Sequence, residues 1–259
     1  GAALALAAAA GIAPRLAFAV LWAVYLSFVS VGGVFLGYQW DALLLESGLL
    51  AIAFAPGGLR PSWRVGPAPS RSILWLLRWL LFRLMFLSGA TKLASDDPSW
   101  ASLSALDYHY WTQPLPHALS YWAHQLPPWL QRASVVVMFA IELGAPFLIF
   151  GPRRLRSLAA AAFTALLLMI MATGNYGFFE PLALALCITL LDDRALLALI
   201  PPRLRPTAPS SDEPAPASGG RAFLLGSFTA LALVLTLTAF ARRLGRAEYV
   251  PAPLAALAE

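Results

Sequence analysis

The sequence is almost empty of three residue types. Among 259 residues there is one cysteine (Cys187), one lysine (Lys92) and one asparagine (Asn175). A single cysteine excludes an internal disulfide, and Asn175 is followed by Tyr-Gly, which is not an acceptor sequence for N-glycosylation. The signatures of phosphate-binding loops, serine-hydrolase elbows and zinc proteases are missing as well. The motifs therefore give no support to these common enzyme classes.

Charged residues are also scarce, whereas long hydrophobic runs are abundant. Only 12% of the residues are charged and 59% are hydrophobic, with a mean hydropathy of +0.71. A soluble domain carries about 25% charge, and a soluble core could not bury all of these apolar segments. The net charge of +5 does not indicate nucleic-acid binding, because the arginines lie mostly in short loops. We predict an all-α protein, a polytopic transmembrane helical bundle.

Seven apolar segments are predicted to be helices, of which about six span the membrane fully: 15–36, 42–55, 72–92, 129–150, 157–173, 178–191 and 222–240. We predict a transmembrane domain over 1–200, a disordered Pro/Ala/Ser linker over 201–220, and a last membrane helix with a tail over 221–259. Residues 1–13 resemble the end of an earlier segment rather than a signal peptide, and both chain ends are expected to be truncated.

Residues 94–128, here called the cap, form the longest non-apolar stretch before the linker. It holds all three histidines, and seven aromatic residues lie between Trp100 and Trp129 inclusive. Trp and Tyr are enriched at the level of lipid headgroups. Pro114 and Pro116 favour the start of a short helix over 116–126. We predict that the cap is interfacial or re-entrant.

The arginines predict an orientation for the chain. Most of them fall into the loops 59–71 and 151–156 and the stretch 194–221, and these are assigned to the cytoplasm by the positive-inside rule. The cap and the C-terminus then face the periplasm, or the lumen of the endoplasmic reticulum in a eukaryote. Heavy use of Ala, Arg, Pro and Leu favours a bacterial inner membrane.

Four charged residues lie inside apolar helices: Glu46, Arg78, Arg83 and Glu142. Charges at such depth are costly, so they pair with each other or face a cavity. We expect Arg83 to pair with Glu142 and Arg78 with Glu46. The pairs would either lock helix packing or surround a site for a headgroup, a quinone or a peptide.

Further candidate groups follow the third apolar segment. Lys92 would either reach the membrane interface or, if desolvated, act as a base. Asp107, His109 and Gln113 could supply acid–base chemistry or serve as interfacial hydrogen-bonding groups. No cysteine or carboxylate cluster completes a metal site, so we predict no metal.

Several blocks of the chain resemble the lipase maturation factor family. They are residues 38–48 (YQWDALLLESG), 78–86 (RWLLFRLMF) and 106–116 (LDYHYWTQPLP), with further matches at 142–147, 174–175 and 192–193. The second and third blocks contain Arg78, Arg83, Asp107, Tyr108 and His109. On this ground Tyr108 and Asn175 join the candidate binding residues. Trp111 stands where the family block usually has a glutamate, so it inherits no acid role.

This resemblance implies a membrane protein of the endoplasmic reticulum in animals, needed for secreted lipases to fold and assemble into active dimers. It implies contact with membrane lipids and with a secreted lipase or another exported client, and no obligatory cofactor. Members of the family also carry a soluble lumenal domain after the last span. Bacterial members have no clear client.

A shorter stretch is similar to another membrane protein. Residues 88–93 (SGATKL), followed by Trp100, resemble part of vitamin K-dependent gamma-carboxylase, in which the lysine matching Lys92 deprotonates a reduced quinone. Three hypotheses follow: a folding or maturation factor, a membrane enzyme acting on a lipid or quinone with Lys92 as its base, and a structural scaffold. We favour the first.

Overall fold

The structure is a computed structural model that describes residues 1–61, 69–201, 203, 226–234 and 237–238. All regular structure in these residues is helical, which confirms the predicted fold class. The helices are α1 (Ala2–Ala9), α2 (Pro14–Gly32), α3 (Gln39–Phe54), α4 (Arg71–Leu93), α5 (Pro98–Ala101), α6 (Ala105–Thr112), α7 (Ala118–His124), α8 (Pro128–Phe139), α9 (Ala145–Leu148), α10 (Arg153–Thr173), α11 (Phe179–Ile188) and α12 (Asp193–Leu199).

In the described residues, four helical segments are long and apolar enough to cross a membrane: Pro14–Leu36, Arg71–Leu93, Pro128–Leu148 and Arg153–Thr173. A helix of 20 residues covers the roughly 30 Å of a bilayer core. Two further predicted spans are shorter, because α3 has 16 residues and α11 has 10. Most of the linker lies outside the described residues, and the last predicted span is described over residues 226–234 and 237–238, which are helical.

The chain divides into two compact units, the first made of residues 1–77 and 193–233 and the second of residues 78–192 and 234–259. In the first unit, α2 and α3 are joined by polar contacts between apolar helices. The indole of Trp22 donates to the carbonyl of Leu45 at 2.8 Å, and the Tyr25 hydroxyl bonds Asp41. Residues 1–13, expected to be the end of an earlier segment, contain the short helix α1.

The second unit contains the cap and the helices that surround it. Its interior is apolar, with fully buried side chains such as Leu81 on α4, Phe163 on α10 and Leu190 just after α11. The predicted continuous span over 129–150 is interrupted by a π-helix, Ala140–Gly144, between α8 and α9. Pro146 has no N–H to give to the carbonyl of Glu142, which accounts for a change of hydrogen-bonding register here.

The cap consists of three short helices, α5, α6 and α7, joined by turns. Asp97 begins α5 by accepting a hydrogen bond from the Ser99 N–H at 2.9 Å. The helix predicted over 116–126 is shorter, Ala118–His124, because His117 caps it: the ring of His117 accepts the N–H of Leu119. The cap is thus folded structure between α4 and α8.

Candidate functional site

The best-defined polar group in the second unit joins α4 to the π-helix. The Lys92 ammonium lies 2.7 Å from each carboxylate oxygen of Glu142 and donates to the Ser88 hydroxyl at 2.9 Å. Ser88 in turn donates to Glu142 at 3.0 Å. We call these three residues the triad. Glu142 is only 2% exposed, so the carboxylate has left water and is compensated by the triad itself.

Helix geometry explains why the triad forms. Ser88 and Lys92 are four residues apart on α4, and such positions lie on the same helix face. Gly89 lets the two segments approach, because a Cβ there would lie 2.8 Å from a Leu143 methyl carbon and 3.0 Å from the Glu142 Cβ. A larger residue at position 89 would push the carboxylate away from the ammonium.

The cap covers the triad through Trp100. The Lys92 nitrogen lies 5.6 Å from the centre of the Trp100 ring, within range of a cation–π interaction. Trp100 also lines an open cleft in the cap of about 520 Å³, together with Asp97, Tyr108 and His109. The remaining lining is small and hydroxyl-bearing: Ser99, Ser102, Ser104 and Thr112 among others.

His109 connects the cleft to the turn after α10. Its Nε2 lies 3.3 Å from the Tyr176 hydroxyl. Burial and the positive charge of Lys92 hold the pKa of His109 below its usual value. Burial, with a smaller contribution from Glu180, raises the pKa of the Tyr176 hydroxyl. Both shifts favour the neutral forms of the two side chains.

Gln113 fastens the cap to α10. Its side-chain amide donates to the carbonyls of Tyr110 at 3.0 Å and Thr173 at 2.8 Å. Gly174 makes room for this contact, since a Cβ there would lie 2.5 Å from the side-chain oxygen (Oε1) of Gln113. Asn175 shapes the same turn by accepting the N–H of Gly177 at 3.2 Å. Gln113 and Asn175 thus hold backbone in place.

The remaining predicted residues have the following surroundings. Arg78 donates to the carbonyl of Thr189 at 3.0 Å, and Arg83 is buried in the same unit. Tyr108 is exposed at the cleft, whereas Asp107 is half-buried and its carbonyl accepts from Trp111. Glu46 is half-buried in the first unit.

One expected ion pair differs from the observed contacts, and one buried carboxylate was not predicted. Glu142 was expected to pair with Arg83, but the ion pair observed at its carboxylate is with Lys92. Glu180, a carboxylate that is 2% exposed on the apolar helix α11, was not among the predicted residues. The rule that selected Glu142, an acid within an apolar helix, applies equally to Glu180 and would have found it.

The arrangement is suited to fixing helices rather than to holding a metal. No group of three or more His, Cys, Asp or Glu side chains that could bind a metal ion occurs in the residues that the structure describes. An ammonium has three N–H donors, and Glu142 and Ser88 offer an acceptor for each. Through the contact between Lys92 and Trp100, the triad connects the cap to the membrane helices.

Comparison with known proteins gives a consistent set of relatives. The chain is 48% identical over 192 residues to lipase maturation factor 2 of Homo sapiens, which covers 70% of this chain and 27% of that protein. It is 51% identical over 181 residues to lipase maturation factor 2 of Xenopus laevis, covering 69% and 26%. It is 34% identical over 196 residues to lipase maturation factor 1 of Mus musculus, covering 74% and 33%.

The chain thus spans about a quarter to a third of the length of the curated relatives it matches. No solved structure matches it. The family model described as the lipase maturation factor transmembrane domain matches residues 1–198. Because that domain covers most of the sequence, the chain belongs to the lipase maturation factor family.

Proposed function

We propose that this chain is the membrane-embedded part of a factor that helps exported lipases, or other exported proteins, to reach their active form. The observation that carries the proposal is the match of the family's transmembrane domain along residues 1–198. The relatives named above are maturation factors for lipases by name, and this role passes to the present chain as a proposal.

The cap is the surface that we assign to the client. Its large side chains Trp111, Tyr121 and Trp122 are between 60% and 66% exposed. Exposed aromatic surface of this kind marks contact sites for proteins or membranes. The cap also contains three aspartates and no Lys or Arg between residues 93 and 131. An acidic, aromatic surface suits a partly folded client that exposes apolar and basic residues.

The triad is proposed to hold this surface on the membrane helices. Lys92 contacts Trp100 of the cap and Glu142 of the π-helix at once, so it connects the two through one side chain. This supports a positioning role for Lys92. A general base needs a neutral amine that can take a proton from the substrate, and here the Lys92 nitrogen donates its N–H groups to Glu142 and Ser88 instead.

The location follows from the same proposal. The vertebrate relatives suggest the membrane of the endoplasmic reticulum, with the cap on the lumenal side and the arginine-rich turn 151–156 on the cytoplasmic side. In a bacterial host the corresponding places are the inner membrane and the periplasm. Membrane lipids and an exported client are the proposed partners.

The test is rescue of lipase maturation in animal cells that lack their own lipase maturation factors. The full chain is expressed with a secreted dimeric lipase, and the specific activity of the secreted lipase is measured. A secreted alkaline phosphatase reports on general secretion. We expect recovery of lipase activity with no change in the phosphatase. An inactive lipase beside unchanged expression of the chain would refute the proposal.

Photo-crosslinking locates the client. A photoreactive amino acid replaces Trp122 on the cap or, as a matched exposed control outside the cap, Phe147 on α9. We expect lipase adducts from position 122 and none from position 147. Adducts of equal yield at both positions would mean that the cap is not the contact surface.

A different result would favour the enzyme hypothesis: a quinone or lipid that the protein converts to a product only when Lys92 is present.

A further inference from the structure

Two arginines of the second unit donate hydrogen bonds to neighbouring backbone carbonyls at the C-terminal end of α11. The Nε of Arg78 on α4 donates to the carbonyl of Thr189 at 3.0 Å, and the Nε of Arg156 on α10 donates to the carbonyl of Leu190 at 2.9 Å. Thr189 is the C-terminal cap of α11. The two guanidinium groups are therefore held next to each other by neighbouring carbonyls, close enough for their charges to repel.

This arrangement leaves positive charge uncompensated. The end of a helix contributes about half of one negative charge, which is less than the two positive charges gathered here. Asp192, the acid next in sequence, forms an ion pair with Arg153 at 2.5 Å. The first turn of α10 contains no acidic residue. Among the described residues, the only hydrogen bonds of the two guanidinium groups are those through Nε.

The hydrogen bonds through Nε also fix the orientation of the two guanidinium groups. A guanidinium held through Nε still has the four N–H bonds of its two Nη atoms, and two of these lie side by side at the end of the group as a planar fork. Such forks bind the oxygens of phosphate in pairs. Two adjacent forks thus offer the donors for one tetrahedral anion.

The position along the helices indicates which anion is within reach. Arg156 lies in the first turn of α10, and Arg78 lies about two turns into α4. Both helices are long enough to cross the membrane, and both arginines reach the same end of α11. Long arginine side chains near a helix end extend towards the headgroup level. Phosphate is the anion that every phospholipid carries at that level.

We propose that Arg78 and Arg156 form a binding site for the phosphate group of a membrane phospholipid at the C-terminal end of α11. The lipid would replace the missing counterion and tie α4, α10 and α11 together on the arginine-rich face. This site lies at the opposite end of α4 from the triad and does not depend on the proposed function. A phosphate ion from solution would use the same chemistry, so the test separates the two sources.

The test measures lipid binding by native mass spectrometry on the full chain in a neutral detergent. The probes are phosphatidylglycerol, diacylglycerol as the tail without phosphate, and inorganic phosphate. We expect phosphatidylglycerol to bind, and Arg156→Gln and Arg78→Gln to weaken it about tenfold or more. Arg156→Lys keeps the charge but loses the fork, and we expect it to weaken binding several-fold.

Arg154→Gln is the matched control. Arg154 is exposed in the same turn of α10, and its removal changes the net charge by the same amount. We expect binding within twofold of wild type. Equal weakening by Arg154→Gln, equal binding of diacylglycerol, or full occupancy by inorganic phosphate alone would each overturn the proposal. If Arg78→Gln does not fold, the two Arg156 variants decide the outcome.

Discussion

Lys92 is the only lysine in the chain, and its contacts make it part of the packing between α4 and the π-helix. A buried ion pair is weak evidence for net stability, because taking both charges out of water costs as much as their attraction returns. Removing one partner alone is different, since the other charge is left without compensation. Single and double substitutions at the triad therefore have separate expected outcomes.

Glu142→Gln is expected to lower the free energy of unfolding by about 3 kcal/mol, because the Lys92 ammonium loses its countercharge. Unfolding is followed by tryptophan fluorescence during SDS titration in mixed micelles. Lys92→Met combined with Glu142→Leu should be less destabilising than Glu142→Gln. Asp96→Asn, which removes an exposed carboxylate, serves as the control and should be neutral. A neutral Glu142→Gln would show that the ion pair carries no energetic coupling.

His109 predicts a pH dependence of stability. Its pKa in the folded protein is lowered by burial and by Lys92, so the folded state binds fewer protons than the unfolded state. Stability from this group is complete above the usual histidine value of about 6.5 and is lost as the pH falls through the folded pKa. We expect the melting temperature to fall on acidification, and His109→Gln to flatten that dependence. An identical dependence in His109→Gln would assign it to other groups.

Individual residues could be selected from the sequence more reliably than they could be paired. The rule that ionisable residues inside apolar helices have a role selected Glu46, Arg78, Arg83 and Glu142, and the last three of these lie in the second unit. The partner of Glu142 could not be derived in this way. The π-helix changes the face that position 142 presents, and Lys92 is 50 residues away along the chain.

At the scale of elements, the approach of α4 to the π-helix depends on a missing side chain. Gly89→Ala would place a methyl group 2.8 Å from Leu143, closer than real Cβ contacts allow. We expect a lower melting temperature and weaker coupling between Lys92 and Glu142, since the helices must separate. Differential scanning fluorimetry measures the first, and the double substitution described above measures the second.

The chain provides a matched control for this substitution. Gly144 ends the π-helix, and a Cβ there would meet nothing within 4 Å. Gly144→Ala should be neutral or stabilising by up to about 1 kcal/mol, because it restricts the unfolded chain. If Gly89→Ala is as well tolerated as Gly144→Ala, the close approach is not a constraint on the fold.

Helix content was easier to predict than helix continuity. Apolar runs correctly placed α2, α4 and α10 to within a few residues. The interruption at Ala140–Gly144 could not be seen in the hydropathy, because the π-helix is as apolar as its flanks apart from Glu142. The residue in the sequence that indicated this interruption was Pro146. The short helices of the cap carry too few apolar residues for a helical period to be recognised.

At the scale of the whole molecule, the predicted orientation can be tested with cysteines. Cys187 is buried, so Cys187→Ala gives a background without thiols. Ser102→Cys marks the cleft in the cap, and Arg154→Cys marks the first turn of α10. We expect a membrane-impermeant maleimide to label position 102 from the lumenal or periplasmic side and position 154 only after permeabilisation. The reverse pattern would invert the proposed topology.

The absence of Lys and Arg between residues 93 and 131 has a further consequence for the protein in an energised membrane. The cap carries negative charge, while the turn 151–156 carries three arginines. A potential of 100 mV, negative inside, is worth about 2.3 kcal/mol for each charge moved across the full field. With the cap outside, both charge groups lie on the side that the potential favours. In that orientation the membrane potential therefore favours the inserted protein.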